Sequence, residues 1–125
     1  MLGDTEAIAT VAVRDLKKAA AFYEGKLGLK VKAKQGEEVI SYRTGSTALN
    51  VYRSEFAGTN KATAVCWMVG GRVDEIAKAL KAKGVAFERY DLPGLEHDGD
   101  VHVGQGMRVA WFKDPDGNIL NIVSG

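Results

Sequence analysis

The side chains best suited to chemistry are two histidines in residues 91–106, a stretch rich in glycine and charge. His97 and His102 lie there among acidic residues, namely Glu96, Asp98 and Asp100. Imidazole and carboxylate groups together can bind zinc. However, the spacing matches no helical ligand pair, and ligands in a loop need further residues to orient them. We therefore favour a solvated, flexible loop in which the two histidines bind no metal.

The single cysteine, Cys66, lies in the apolar run 65–69. One cysteine cannot form an intrachain disulfide or a cysteine-rich zinc site. A cysteine among apolar residues is more often a small packing residue than a nucleophile. We therefore expect no thiol chemistry from Cys66.

The composition excludes several classes of protein. The chain has 125 residues and a formal net charge of +1, which suits one domain and gives no broad footprint for nucleic acid or an acidic membrane surface. No apolar run approaches the length that spans a membrane. Residues 1–7 lack the pattern of a signal peptide, so we expect a cytoplasmic protein.

The first half of the chain predicts the element order β-α-β-β-β. The nearly continuous apolar run 7–13 is typical of a strand covered on both faces. Asp15 can cap the next helix, and Gly25 and Gly28 mark its end. The apolar stripe of this helix consists of Leu16, Ala19, Ala20, Tyr23 and Leu27. Three more strands are predicted at residues 29–34, 39–43 and 47–53.

The second half repeats this order after a polar connection at residues 54–61. A strand is predicted at 62–69, and a striped helix of Val73, Ile76, Ala77 and Leu80 ends at Gly84. A strand at 85–90 is followed by the long loop 91–106. Strands 108–112 and 119–123 then form a hairpin around residues 114–118, in which Pro115 and Gly117 have the conformations that a tight turn needs.

The two halves also echo each other in sequence, because Leu49-Asn50 and Leu120-Asn121 occupy matching places. The resemblance to a known family rests on this repeat and on the segments 13–23, 27–29 and 111–118. In these features the chain resembles the vicinal oxygen chelate superfamily of glyoxalases, extradiol dioxygenases and resistance proteins for fosfomycin and bleomycin. The resemblance implies an α+β fold in which two βαβββ modules form a curved mixed sheet around a concave pocket, with the helices outside. We expect a single domain over residues 1–125, with modules at about 5–54 and 61–125.

The resemblance also implies where a divalent metal would bind, and the residues there do not suit one. Metal-dependent members use His, Gln or Glu on the first strand of each module and Glu or His near the last. The matching positions here are Ile8, Ala64, Asn50 and Asn121. Ile and Ala have no donor atom, and a neutral amide does not offset a divalent charge. We therefore predict a subgroup without metal ligands, and no cofactor.

The predicted concave surface would then be a pocket for an organic ligand. Alternation along the strands turns one set of side chains toward it, namely Thr10, Asn50, Tyr52, Cys66, Met68, Trp111 and Asn121. The same residues, together with Ile8, Ala12 and Ala64, could instead fill a core, and for the small aliphatic ones neither interpretation is favoured. The pocket interpretation is stronger for Asn50 and Asn121, because a buried amide without a partner is costly. Trp67 has the opposite parity, which favours the core.

Three functions follow. The first is a small-molecule binding protein that takes an aromatic or amphipathic ligand without metal. The second is a lyase or dioxygenase with a displaced metal site at His97 or His102. The third is an interaction module with a filled cavity. The resemblance implies a homodimer, and the sequence leaves open which ligand is bound and whether any reaction is catalysed.

Overall fold

A computed structural model describes all residues from 1 to 125, and the chain divides into two compact units. Unit 1 comprises residues Met1–Thr59 and unit 2 comprises Asn60–Gly125. Each unit contains one α-helix and one mixed sheet, of four strands in unit 1 and six in unit 2. This confirms the predicted α+β class and the two βαβββ modules. We describe each unit by itself.

Unit 1 contains β1 (Ala9–Val13), β2 (Lys30–Gln35), β3 (Val39–Thr44) and β4 (Thr47–Arg53). The strand order in the sheet is β1-β4-β3-β2, with β1 parallel to β4 and the other pairs antiparallel. Side chains alternate between two faces. The buried side chains on the face toward the helix are Val11, Val13, Ile40, Tyr42, Leu49 and Val51. We call this side the helix face of the sheet and the opposite side its far face.

The helix of unit 1 begins as predicted. Helix α1 (Leu16–Ala20) is capped by Asp15, whose carboxylate accepts hydrogen bonds from the backbone N–H groups of Lys17 and Lys18. It continues as a π-helical segment, Ala21–Lys26. Gly28 follows with a φ of 75°, a left-handed conformation that glycine adopts without strain.

Unit 2 contains β5 (Thr63–Met68), helix α2 (Val73–Ala82), β6 (Phe87–Glu88), β7 (Glu96–Asp98), β8 (Val101–Gly104), β9 (Met107–Lys113) and β10 (Ile119–Val123). A 3₁₀ turn, Gly70–Arg72, leads into α2. The strand order is β5-β10-β9-β8-β7, and β6 pairs with the Phe112 end of β9. As in unit 1, the first strand lies parallel to the last, here β5 with β10.

The closing hairpin forms where it was predicted. The Asp114 carboxylate accepts hydrogen bonds from the backbone N–H groups of Asp116 and Asn118 and from the Asn118 side chain. Gly117 has a φ of 90°, which permits the sharp reversal. Local hydrogen bonding and backbone freedom therefore fix this turn.

The prediction of a flexible loop at residues 91–106 is wrong. Strands β7 and β8 form a hairpin there, and β8 pairs with β9. Gly99 turns the hairpin with a φ of 67°. The strand Val101–Gly104 is short and contains only two apolar residues, both valines, and its first two residues, Val101 and His102, are buried. No helix of the structure is long and apolar enough to cross a membrane.

Candidate functional site

Three of the predicted site residues lie side by side on one face of the unit 2 sheet. The buried Phe112, Leu120 and Ile122 lie on the opposite side, the helix face of unit 2, and we call the side of the site residues the far face of unit 2. Asn121 on β10 is paired in register with Cys66 on β5 and with Trp111 on β9. Since paired residues point to the same side of a sheet, the thiol, the amide and the indole form one row. Glu88 on β6 extends this row beyond Trp111. Met68 belongs to the next row and is 75% exposed.

The histidines are part of the same face. His102 is paired in register with His97 and with Val109, and its side chain is fully buried. Its ring lies 4.8 Å from the Trp111 ring and 4.7 Å from the His97 ring, perpendicular or nearly so to both. The prediction that both histidines are solvated loop residues is therefore wrong for His102, because tertiary packing on Trp111 buries it.

Both imidazoles hold the backbone of Tyr90. The Tyr90 N–H donates to His102 Nε2 at 2.9 Å, and His97 Nε2 donates to the Tyr90 carbonyl at the same distance. The Tyr90 ring in turn packs edge-on against Trp111, with 5.4 Å between ring centroids. We call Tyr90, His97, His102, Trp111 and Asn121 the Trp111 cluster. Sequence reasoning missed Tyr90, and the alternation Val101-His102-Val103 was the signal that could have placed His102 on a strand.

Three groups of this face are held uncharged near neutral pH. Burial lowers the pKa of His102, and the neighbouring His97 lowers it further, partly opposed by the backbone of Val109 and Tyr90. Burial raises the pKa of Tyr90, and Glu88 raises it further. Burial also raises the pKa of the Cys66 thiol, which therefore lacks the thiolate character of a nucleophile.

The nearest formal charges neutralise each other. Lys113 Nζ lies 3.1 Å from Glu88 Oε1, and this ion pair raises the pKa of Lys113. The indole N–H of Trp111 donates to Thr63 Oγ1 at 3.1 Å, which fixes the ring on the sheet. The arrangement therefore suits binding by contact and hydrogen bonding.

Unit 1 builds a matching row with different side chains. Asn50 on β4 is paired with Thr10 on β1 and with Ser41 on β3. The Ser41 hydroxyl donates a short hydrogen bond to Asn50 Oδ1. Tyr52 lies in the next row and is 37% exposed. The predicted residues thus lie in two sets, with Thr10, Asn50 and Tyr52 in unit 1 and Cys66, Met68, Trp111 and Asn121 in unit 2.

The residues at the four positions that the resemblance assigns to a metal do not fit a divalent ion. Ile8 and Ala64 have no donor atom, and Asn50 already uses its carbonyl oxygen to accept from Ser41. Asn121 brings only a neutral amide, which does not offset a divalent charge. The alternative metal site at His97 or His102 also lacks free ligands. His102 uses Nε2 to accept from the Tyr90 N–H, and Asp98 pairs with Arg108 at 2.8 Å. No group of three or more His, Cys, Asp or Glu side chains is placed to hold a metal ion.

A concave region of unit 2 lies on the helix face. A cleft of about 660 Å³ runs between α2 and the β7–β8 hairpin, and none of the predicted ligand-binding residues lines it. Its acidic residues are largely paired, since Asp74 and Asp98 both contact Arg108 and Asp100 contacts Lys81. We therefore place the candidate site on the far face.

The comparisons with known proteins agree with this fold. A family model described as Glyoxalase/Bleomycin resistance protein/Dioxygenase superfamily matches residues 7–122. The chain therefore belongs to this superfamily. No curated protein sequence matches the chain.

Solved structures of the same fold include a glyoxalase family protein, a lyase and a fosfomycin resistance protein. A glyoxalase family protein from Enterococcus faecalis is 19% identical, with a TM-score of 0.73 and coverage of 98% of this chain and 99% of that one. Lactoylglutathione lyase from Agrobacterium tumefaciens is 18% identical, with a TM-score of 0.72 and coverage of 98% and 95%. The fosfomycin resistance protein FosX from Listeria monocytogenes is 18% identical, with a TM-score of 0.72 and coverage of 100% and 94%. At this level of identity the likeness shows the fold alone.

Proposed function

We propose that this chain is a small-molecule binding protein that takes an aromatic or amphipathic ligand without a bound metal ion. The observation that carries the proposal is the row Cys66–Asn121–Trp111, which places an indole beside a buried amide on a sheet face. Apolar surface with a few fixed polar groups is what ligand sites usually offer. Thr10, Asn50 and Tyr52 are proposed contacts on the far face of unit 1.

Tryptophan fluorescence tests this proposal, because the chain has two tryptophans in different settings. Trp67 stacks on Phe112, with 6.4 Å between ring centroids, whereas Trp111 belongs to the proposed site. In the Trp67→Phe variant, we expect a saturable change of the Trp111 emission with at least one compound of a panel of aromatic metabolites and antibiotics. The Trp111→Phe variant is the matched control and should show no such change. A panel without any response would contradict the proposal.

The alternative is a metal-dependent lyase or dioxygenase that uses His97 or His102. The hydrogen bonds of both rings to Tyr90 argue against it, because a metal would have to displace them. Elemental analysis of untagged protein separates the two functions. We expect less than stoichiometric metal, and a stoichiometric transition metal that is lost in His102→Ala would establish the alternative.

We also infer that the protein forms a homodimer, as the resemblance to the superfamily implies, and that it acts in the cytoplasm. Large apolar side chains that a partner could cover include Phe56, 68% exposed, and Met68, 75% exposed. Sedimentation velocity over a range of concentrations tests the dimer. A monomer at all concentrations would contradict it.

A further inference from the structure

The Trp111 cluster contains an unusual number of buried polar atoms without a hydrogen-bond partner. Four such side-chain atoms occur in the chain, and three of them are Tyr90 Oη, His102 Nδ1 and Asn121 Oδ1. Tyr90 and His102 both contact the Trp111 ring, and Asn121 is paired with Trp111 in register. Buried polar atoms in native proteins nearly always have a partner, so three together indicate that something else supplies the partners.

The three atoms differ in what they can bind. Asn121 Oδ1 can only accept a hydrogen bond. His102 uses Nε2 as an acceptor for the Tyr90 N–H, so the proton of the neutral ring is on Nδ1, which is a donor. The Tyr90 hydroxyl can donate or accept. The Val109 backbone lies close enough to His102 to oppose the lowering of its pKa, so Nδ1 is the least available of the three atoms. The cluster therefore mainly offers an acceptor, Asn121 Oδ1, and one adaptable group, Tyr90 Oη, beside an aromatic ring.

The charges around the cluster favour an uncharged ligand. Lys113 is paired with Glu88, and Arg89, whose charge lowers the pKa of His102, lies 3.7 Å from Asp100, so both cations already have an acidic partner. Transferring an ionised group to such a site without an opposite charge is expensive. A neutral ligand loses much less hydration and can still satisfy both a donor and an acceptor.

We propose that the Trp111 cluster binds an uncharged, planar aromatic carboxamide. The amide N–H would donate to Asn121 Oδ1, its carbonyl would accept from Tyr90 Oη, and its ring would pack against Trp111. This rests on the proposed function and goes beyond it by naming the class of ligand.

Benzamide and benzoate are matched probes, since they have nearly the same shape and differ in charge. Binding is followed by the Trp111 indole N–H signal in a ¹H–¹⁵N spectrum, assigned by its loss in Trp111→Phe. We expect benzamide to bind at least ten-fold more tightly than benzoate. Asn121→Leu should weaken benzamide at least ten-fold, whereas the same substitution at the exposed Asn60 should leave binding unchanged.

Thermal unfolding without any probe gives a second, independent measurement. Asn121→Leu removes an acceptor that has no partner, so its Tm should equal or exceed that of the original protein. A Tm several degrees lower would mean that the oxygen is already satisfied within the protein, and would overturn the proposal.

The remaining outcomes are also decisive. Equal binding of benzoate, or no shift of the Trp111 signal with either probe, would overturn the carboxamide assignment. If another aromatic compound of the fluorescence panel still binds, the proposed function stands while this inference fails. If nothing binds, both fail.

Discussion

The two units place an asparagine at the same point of the same three-strand row, but the side-chain carbonyl oxygens of the two asparagines differ in their hydrogen bonding. In unit 1 the row is Thr10–Asn50–Ser41, and the Ser41 hydroxyl donates to the Asn50 carbonyl oxygen. In unit 2 the row is Cys66–Asn121–Trp111.

Trp111 cannot play the part of Ser41, because its only donor is used by Thr63. The carbonyl oxygen of Asn121 therefore has no partner. The residue beside the asparagine on the neighbouring strand, Ser41 in one unit and Trp111 in the other, therefore decides whether the amide oxygen has a hydrogen-bond donor within its own row. Two copies of one module can thus differ in whether the same amide oxygen is hydrogen-bonded within the protein or available to a ligand.

The largest expected effect tests whether the hydrophobic cores of the two units are packed equally well. Leu49 and Leu120 directly precede the two asparagines, and their side chains are 1% and 0% exposed. Leu49→Ala and Leu120→Ala should each lower the free energy of unfolding by about 3 kcal/mol, through lost burial and a residual cavity. Urea denaturation measures both. A cost below about 1 kcal/mol for either would show that the cores of the two units are not equally packed.

The next effect belongs to unit 2 alone and depends on pH. Because the folded pKa of His102 is lowered from 6.5, the unfolded chain takes up a proton before the folded one does. The free energy of unfolding should therefore fall as the pH decreases through 6.5, and should be independent of His102 well above it. His102→Phe should abolish this part of the dependence and cost about 1–2 kcal/mol at pH 8, since the Tyr90 N–H loses its acceptor.

Thermal unfolding between pH 5 and pH 8 measures this, and His97→Gln serves as the control. The trend should persist in that variant, because His97 contributes less to the lowered pKa than burial does. An unchanged slope in His102→Phe would contradict the assignment to His102.

How far the sequence predicts these features depends on the range of the interactions behind them. The Asp15 cap and the turn at residues 114–118 were predicted because their hydrogen bonds join residues at most four positions apart. The faces of Thr10, Cys66 and Asn121 followed from strand alternation. Register was not predictable, and register decides that Ser41 reaches Asn50 whereas Trp111 faces Asn121.

The β7–β8 hairpin was missed for the same reason. Residues 96–104 contain few apolar side chains, and they form strands because β8 pairs with β9 and β7 pairs with β8. His102 is buried among the rings of Trp111, Tyr90 and His97, and Trp111 lies nine positions further along the chain. Tertiary contacts therefore override the local polarity from which a loop was predicted.

A smaller effect is expected when the asparagine oxygen of unit 1 is deprived of its donor, as the one in unit 2 already is. Ser41→Ala removes the donor to Asn50 Oδ1 and leaves a partly buried acceptor without a partner. We expect a loss of about 1 kcal/mol in the free energy of unfolding, measured by urea denaturation. Thr47→Ala is the control, because its hydroxyl bonds an exposed carbonyl, that of Thr44. If Ser41→Ala left the free energy of unfolding unchanged, the hydrogen bond that distinguishes the two rows would contribute little to stability.

The smallest expected effect compares the beginnings of the two helices. Asp15 caps α1 through two backbone N–H groups, whereas α2 follows Arg72, which makes no side-chain cap. Asp15→Ala should cost about 1 kcal/mol, and Asp15→Asn should cost much less because the amide oxygen can still accept. Arg72→Ala should cost less than about 0.5 kcal/mol, since its ion pair with Glu75 is exposed on both sides. Equal losses for Asp15→Ala and Arg72→Ala in urea denaturation would mean that the cap contributes no more than a surface ion pair, and that the start of α1 is held by packing against β4.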